Sequence, residues 1–574
     1  MAIMNPKTAL EKETISSFGG ISDHGGLSSD SAFDMRNFQI LPDGTLEKRC
    51  GFFKRYSFGV SIRGLWEGTV SGDTYLFVVA GDQIYRQGPN DSFPTAVYML
   101  TTSEGNVNFA FYRENLYLLD GKSLLIFRTS TETFSIAEGY VPLYGYNWHP
   151  TQLGEIREPL NLIQSRIRIH YLNTNGSTTF QLPFTCEKIN SMMVNGESTN
   201  LYSFTPYTST FTIPASLAGV GTVEVTVTLD PVFNRRSTVL QASEAAVFST
   251  TRRQTMMTFG GSQGYLVYRS SPVTDEMLRE CLIPCPDADP LYFQKDTAIT
   301  VGSSQHPVLA LCQSEDQMLV FNDENVWGIR YSANSDDPEV LPIRSAFGCA
   351  SKNGVLPCGD FLATVSDGGI LRMDIRGDNL DICETSPLSR SIERRLDAAF
   401  LKSAILFRNR SNNQLWVRDP KEASGLVWIC DADRSRWFSY DGIRANRFYE
   451  IGGKVAFSTE SGDICFFDEN LDHDDGAPFS AFYQSHYLGF SHPQLAKRSI
   501  RLSVCAKALG GALTAEVVTE RGSKSFVLRK NTGDVPAFYD RRLSMGRFRF
   551  LQFRLSASDA ARCRIYSLSI AANN

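Results

Sequence analysis

The chain has no run of about 18 consecutive apolar residues, the least that a membrane-spanning helix needs, so no transmembrane helix is expected. Met1–Thr14 is polar, with Lys7, Glu11, Lys12 and Glu13 and no apolar stretch, so no secretory signal is expected either. A Gly-x-x-x-x-Gly-Lys-Ser/Thr phosphate loop and a His-Glu-x-x-His helix are both missing. Histidine is scarce. The seven present (His24, His149, His170, His306, His473, His486 and His492) are dispersed, mostly in turns or beside proline. Of twelve cysteines only Cys281 and Cys285 are close together, and no second Cys or His pair accompanies them, so no zinc site is expected. Most of the others sit inside apolar strand patterns, where a reduced thiol behaves as a small hydrophobe.

What is present is alternation. An apolar run, a tight polar turn and a second apolar run form Ala363–Met373, with Asp367-Gly368-Gly369 at the turn. Two strand-like runs around Asp-Gly or Asn-Gly chemistry read as a hairpin, because only residues tolerant of positive φ match the twist of the strands. The unit recurs at Leu76–Arg86, Leu116–Phe127, Met256–Tyr268, Met318–Arg330, Phe361–Met373, Ile405–Val417 and Val455–Phe467. Six of the seven second strands carry an aromatic residue: Tyr85, Phe127, Tyr268, Trp327, Trp416 and Phe467. Turns lie roughly 40 to 60 residues apart, with one gap of about 140, a spacing that points to an all-β, seven-bladed (six to eight) β-propeller.

The texture changes twice. Arg166–Leu229 has short, strictly alternating strands, read as a β-sandwich inserted between the second and third blades. Phe479–Asn574 alternates again and reads as a C-terminal β-sandwich. The expected organisation is an N-terminal extended arm and hairpin over 1–60, blades over 61–155, the insert over 156–232, further blades over 233–475 and the C-terminal sandwich over 476–574. Glu276–Cys281 and Leu388–Phe400 read as short helical turns, and Leu471–Pro478 as an exposed acidic linker.

Charge is unevenly spread. The chain carries −6, yet from Lys497 onward there are 15 Lys+Arg against 5 Asp+Glu, leaving 41 against 57 in the remainder. An acidic body with a basic C-terminal part is a statement about partners. Arg541, Arg542, Arg547 and Arg549 are the candidate partner surface, placed by alternation on the wet face opposite Phe548 and Phe550. Their cationic face suits DNA phosphate, contacted without base specificity, or an acidic neighbouring subunit.

No catalytic residue, metal site or cofactor is assigned. The prominent carboxylates Asp82, Asp120, Asp323 and Asp367 fall in hairpin turns, where Asp serves the backbone. Asp468, Asn470 and Asp472 alternate as calcium ligands would, but His473 stands where the calcium loop needs Gly.

A resemblance adds to this. Asn37, an apolar run, Asp43-Gly44-Thr45-Leu46 and then Lys48-Arg49-x-Gly51 resemble the opening of tail, tail-hub and DNA-stabilisation proteins of tailed bacteriophages. The resemblance implies a non-enzymatic virion protein, assembled in the host cytoplasm into the tail as a homo-oligomeric ring, six-fold, below the portal and adaptor. In that role it would extend the DNA channel as a nozzle or hub, retain packaged DNA and dock fibre or tip proteins. The alternative is a carbohydrate-binding receptor-recognition propeller or depolymerase of a phage.

Overall fold

In a computed structural model, residues 10–24, 30–232, 244–249, 254–259, 265–270, 273–278, 280–285, 291–294, 297–303, 305–331, 337–344, 347–352, 354–375, 383–509, 512–528, 535–557 and 562–573 are described. Nearly all regular structure is β. The strands form ten sheets in two compact units, one of Met1–Ile62, Cys349–Arg376 and Cys383–Asn574, the other of Arg63–Gly348 with Gly377–Ile382.

Local turn chemistry acts as the sequence suggests. Six of the seven hairpins pair antiparallel, and two of them close on two-residue loops, Ala80↔Gln83 around Gly81-Asp82 and Ser366↔Gly369 around Asp367-Gly368. The seventh does not. Gln254–Phe259 pairs with Glu244–Ser249 and Cys281–Pro284, whereas Tyr265–Ser270 pairs with Val273–Leu278 in a separate two-stranded sheet. Its Gly260-Gly261 turn lies outside the described residues. Glu276–Cys281 is not helical: Val273–Leu278 and Cys281–Pro284 are strands. Arg390–Arg395 is a 3-10 turn and Ala398–Ser403 a helix, capped where Asp397 Oδ1 accepts from Phe400 N at 2.8 Å.

The expected propeller is corrected by the sheets themselves. Five hold four strands each, but the others hold two, six, six, seven and nine, and none is closed into a barrel or curled. The physical reason is long-range pairing that a hairpin period does not encode. Ala32–Arg36 pairs parallel with Arg436–Tyr440 on one side and antiparallel with Ala481–Ser485 on the other. That strand fuses the meander Ile405–Tyr440 to Leu551–Ala557, Leu513–Thr519 and Gly522–Leu528, giving one nine-stranded sheet. Gly51–Ser57 similarly adds to Asp463–Asp468 in a six-stranded sheet. The nozzle and DNA-channel roles that the resemblance implies for a propeller have no counterpart in these sheets.

The two expected sandwiches are corrected as well. Leu143–Trp148, Arg166–Asn173, Gly221–Leu229, Thr179–Val194, Thr208–Thr212 and Ser203–Phe204 follow one another in a single seven-stranded sheet, joined off this path by Glu197–Ser198. Its alternation buries Ile167, Ile169 and Tyr171 beside Val223, Val225 and Val227, with Trp148 and Phe180 in the same cluster. Near the C-terminus, Lys497–Leu509, Ala537–Phe548 and Arg562–Asn573 form a sheet completed by Leu10–Ile15, Phe38–Ile40 and Leu46–Lys48. The C-terminal strands therefore do not close on themselves. Leu502, Val504, Leu513, Val517, Phe553 and Ile570 belong to one apolar cluster that also holds Phe18, Met35, Phe38 and Trp437. Each such large side chain, fully buried, is worth about 1.5–3 kcal/mol.

Candidate functional site

The residues that carry the phage-tail resemblance form a joint. Asn37 takes φ = +57°, a conformation asparagine tolerates better than most residues. Its backbone N donates to Ser439 O (2.8 Å), and Nδ2 donates to Asp441 Oδ1 (2.5 Å) and Ser480 O (2.8 Å). Oδ1 accepts from Asp441 N (3.0 Å) and Arg49 Nε (2.9 Å). Arg49, with its side chain 1% exposed, reaches on to Asp474 Oδ1 at 2.8 Å and Oδ2 at 2.6 Å, and its guanidinium lies 3.8 Å from the centre of the Phe479 ring. Lys48 Nζ lies 4.2 Å from the same centre. Gly51 is needed for a close approach: a Cβ there would sit 1.9 Å from His473 O.

The other end of the hairpin is tied separately. Asp43 Oδ1 accepts from Thr45 N and Oγ1, and its other oxygen pairs with Arg564. Burial alone would raise the Asp43 carboxyl, but the Thr45 donors and Arg564 hold it below its ordinary range. Gly44 has φ = +80° and packs on Ser17.

Leu471–Pro478 is exposed over 475–478 but is more than a linker. His473–Asp474 and Ala477–Pro478 pair with each other, and Asp474 pairs with Phe52 in parallel register. The carboxylates read as possible calcium ligands have protein donors: Asp468 Oδ2 takes Lys454 Nζ at 3.2 Å, and Asp472 Oδ1 lies 3.0 Å from His473 Nδ1. No group of three or more His, Cys, Asp or Glu able to hold a metal occurs among the described residues. Beside the joint lies a cleft of about 890 Å³, with Gln39, Lys48, Asn412, Arg434, Glu469 and Lys507 in its wall. Its lining is mixed in charge and rich in amides.

Of the turn carboxylates, Asp120 serves the backbone and Asp323 meets a side chain. Asp120 Oδ1 accepts from Lys122 N and Ser123 N, and Oδ2 from Thr102 Oγ1. Asp323 lies 2.8 Å from His306 Nδ1. Sequence reasoning missed two buried arginines. Arg63 donates to the carbonyls of Gly81, Thr102, Glu104 and Gly105. Arg418 donates to those of Glu422, Leu426 and Ala445 and pairs with the Glu422 carboxylate. A buried guanidinium gathering loop carbonyls has no sequence signature, since the acceptors are backbone. Gly260-Gly261-Ser262-Gln263-Gly264 has Gly-x-Ser-x-Gly spacing. It lies outside the described residues. Its flanks, Gln254–Phe259 and Tyr265–Ser270, are both strands, whereas a nucleophile elbow joins a strand to a helix.

Arg541, Arg542, Arg547 and Arg549 are all exposed, and none has an ion-pair partner among the described residues. The single strand read through Arg547–Leu555 is divided: Ala537–Phe548 lies in the six-stranded sheet and Leu551–Ala557 in the nine-stranded one. Phe548 is buried, but Phe550 is exposed at the crossing. The four arginines therefore do not share one flat face.

No protein-family model matches the chain, and no curated protein sequence matches it. Among solved structures, BBS1N in complex with ARL6DN, soaked with mercury, is 10% identical, with a TM-score of 0.37 over 74% of this chain and 99% of that one. The AfRom2 CNH domain is 10% identical, with a TM-score of 0.32 over 75% of this chain and 99% of its own. YCF48 bound to D1 peptide is 9% identical, with a TM-score of 0.32 over 74% and 96%. At these scores the likenesses carry no argument about function. Among the described residues no helix is long and apolar enough to cross a membrane.

Proposed function

We propose that this chain is a non-catalytic structural protein of a tailed-phage particle, present in the tail in several copies and held by contacts with its own kind and with portal, adaptor or fibre proteins. The observation that carries the reading is the joint at Arg49. The residues through which the sequence resembles phage tail proteins, Asn37, Lys48, Arg49 and Gly51 among them, are those whose contacts tie the N-terminal hairpin to residues 439–441 and 471–480. The resemblance thus falls on an architectural element. A basic C-terminal part and an acidic remainder add surfaces suited to neighbours of opposite charge.

The test is to purify particles from cells carrying the encoding phage or prophage, cross-link them and identify this chain and its neighbours by mass spectrometry. Recovery in the particle, cross-linked to itself and to other particle proteins, is the expected result. A chain that stays in the particle-free lysate as a monomer and turns over glycans would overturn it.

A further inference from the structure

Ala537–Phe548 is twelve residues long and lies at the end of its sheet, paired with Lys497–Leu509 on one side only among the described residues. Long open edges are a liability that proteins usually shorten, cover or charge. This one is charged, and it also presents Phe538 at 71% exposure. Lys524 Nζ donates to Ser544 O at 2.6 Å, so that carbonyl faces away from the paired strand. By the two-residue period, the backbone groups of Arg542, Asp540 and Phe538 face outward as well.

Arg541 and Arg542 are consecutive in this strand and so project to opposite faces of the sheet. Arg547 follows Gly546, whose φ of +73° falls where the register with Lys497–Ser499 shifts. A DNA duplex would need the cations on one side. A strand added to the edge would instead carry side chains on both faces, and carboxylates on either face would meet an arginine. Antiparallel pairing of this edge with the same edge of a second copy sets Arg541 or Arg542 opposite itself whenever it is centred on either, a like-charge pair that counts against it.

We propose that the free edge of Ala537–Phe548 is the docking site for an acidic, extended segment of another polypeptide, which adds to the sheet as a further strand. Backbone hydrogen bonds give the affinity of such an addition, and the arginines select the charge. The inference names the kind of neighbour for the assembly role above and rests on that reading.

The test uses the full chain and a labelled peptide of about ten residues, the length of a long strand, rich in Glu and Val with carboxylates on both faces. Fluorescence anisotropy is expected to show saturable binding, weakened about tenfold or more by Arg541→Gln with Arg542→Gln, and by methylating alternate peptide amides. Asp540→Pro separates charge from backbone: it removes a negative charge yet deletes an outward N–H, and is expected to weaken binding. Thermal melting checks that each variant folds, and the methylated peptide tests the unaltered chain. Absence of saturable binding, binding indifferent to amide methylation, or tighter binding of a DNA duplex through the same arginines each overturns the proposal. If the peptide fails while the chain is found in particles, only the edge assignment falls.

Discussion

Arg49 and Asp474, 425 positions apart, form a two-pronged ion pair with N–O distances of 2.8 and 2.6 Å in an almost fully buried setting. Paired prongs fix orientation as well as charge. Removing one partner leaves the other desolvated, so Arg49→Ala or Asp474→Asn is expected to cost about 3–5 kcal/mol in urea unfolding. Arg49→Lys keeps the charge but offers no second prong, and should fall between the native chain and Arg49→Ala. An Arg49→Ala variant as stable as the native chain would show the joint to be incidental.

Gly51 predicts a steric effect at the same joint. With His473 O only 1.9 Å from the place a methyl would occupy, Gly51→Ala must push two backbone segments apart. The expected cost is about 1–3 kcal/mol. Gly368→Ala is the control, since only Ser366 Oγ comes near, at 3.9 Å, and its melting temperature should barely change.

These two residues mark the limit of what the sequence made legible. Short-range signals worked: the chain turns at Asp367-Gly368-Gly369, with the positive φ at Gly369 (+127°), and Leu513–Thr519 buries alternate residues as its pattern reads. Long-range pairing was hidden. Nothing in Ala32–Arg36 signals that it will lie between strands some 400 and 450 residues away. Asp474 sits among Asp, His and Gly and so looks solvated until Arg49 arrives beside it. Alternation across Arg547–Leu555 hid a change of sheet, because both halves keep a period of two. Of the candidate surface, residue type and exposure were legible, but not the arrangement about an open edge.

Acid should weaken the protein through Glu422. Burial alone would raise this carboxyl, but hydrogen bonds from Ser424 and Leu426 together with Arg418 bring it down to about 2 from an ordinary 4.5. A carboxyl lowered on folding contributes stability that is complete above its unfolded value and is lost as pH falls through the folded one. Glu422→Gln is therefore expected to be less stable than the native chain near neutrality by about 1–3 kcal/mol. The difference should shrink between pH 4.5 and 2 as the native carboxylate takes up its proton. Unfolding curves across that range check it, and a constant difference would contradict the assignment.

Thiol reactivity offers an independent reading of the core. All twelve cysteines are free, and all but Cys50 are buried. Burial pushes Cys349 and Cys358 up to about 11 and Cys186 and Cys465 up to about 12, so little thiolate exists at neutral pH. A disulfide-exchange reagent at pH 8 is expected to label the folded chain slowly and all twelve thiols quickly once it is unfolded. Fast labelling of several thiols in the native chain would mean that these strands are not packed as described.

The N-terminal strand carries the last prediction. Glu11 on Leu10–Ile15 is 5% exposed, and its Oε2 lies 3.8 Å from Lys497 Nζ, itself wholly buried. Lys497 also donates to the carbonyls of His492, Leu495 and Gly489, while Glu11 takes the backbone N–H of His492 at 3.2 Å. Removing the carboxylate charge would leave a buried ammonium with neutral acceptors alone. Glu11→Gln is expected to cost about 1–3 kcal/mol, felt first where this strand meets Arg562–Asn573. Hydrogen exchange resolves the site: the alternate amides of Leu10–Ile15 that bond to Arg562–Asn573 should be protected in the native chain and exchange faster in the variant, with those of Arg436–Tyr440 unchanged. Equal acceleration everywhere would make Glu11 a determinant of global stability and not a latch on one strand.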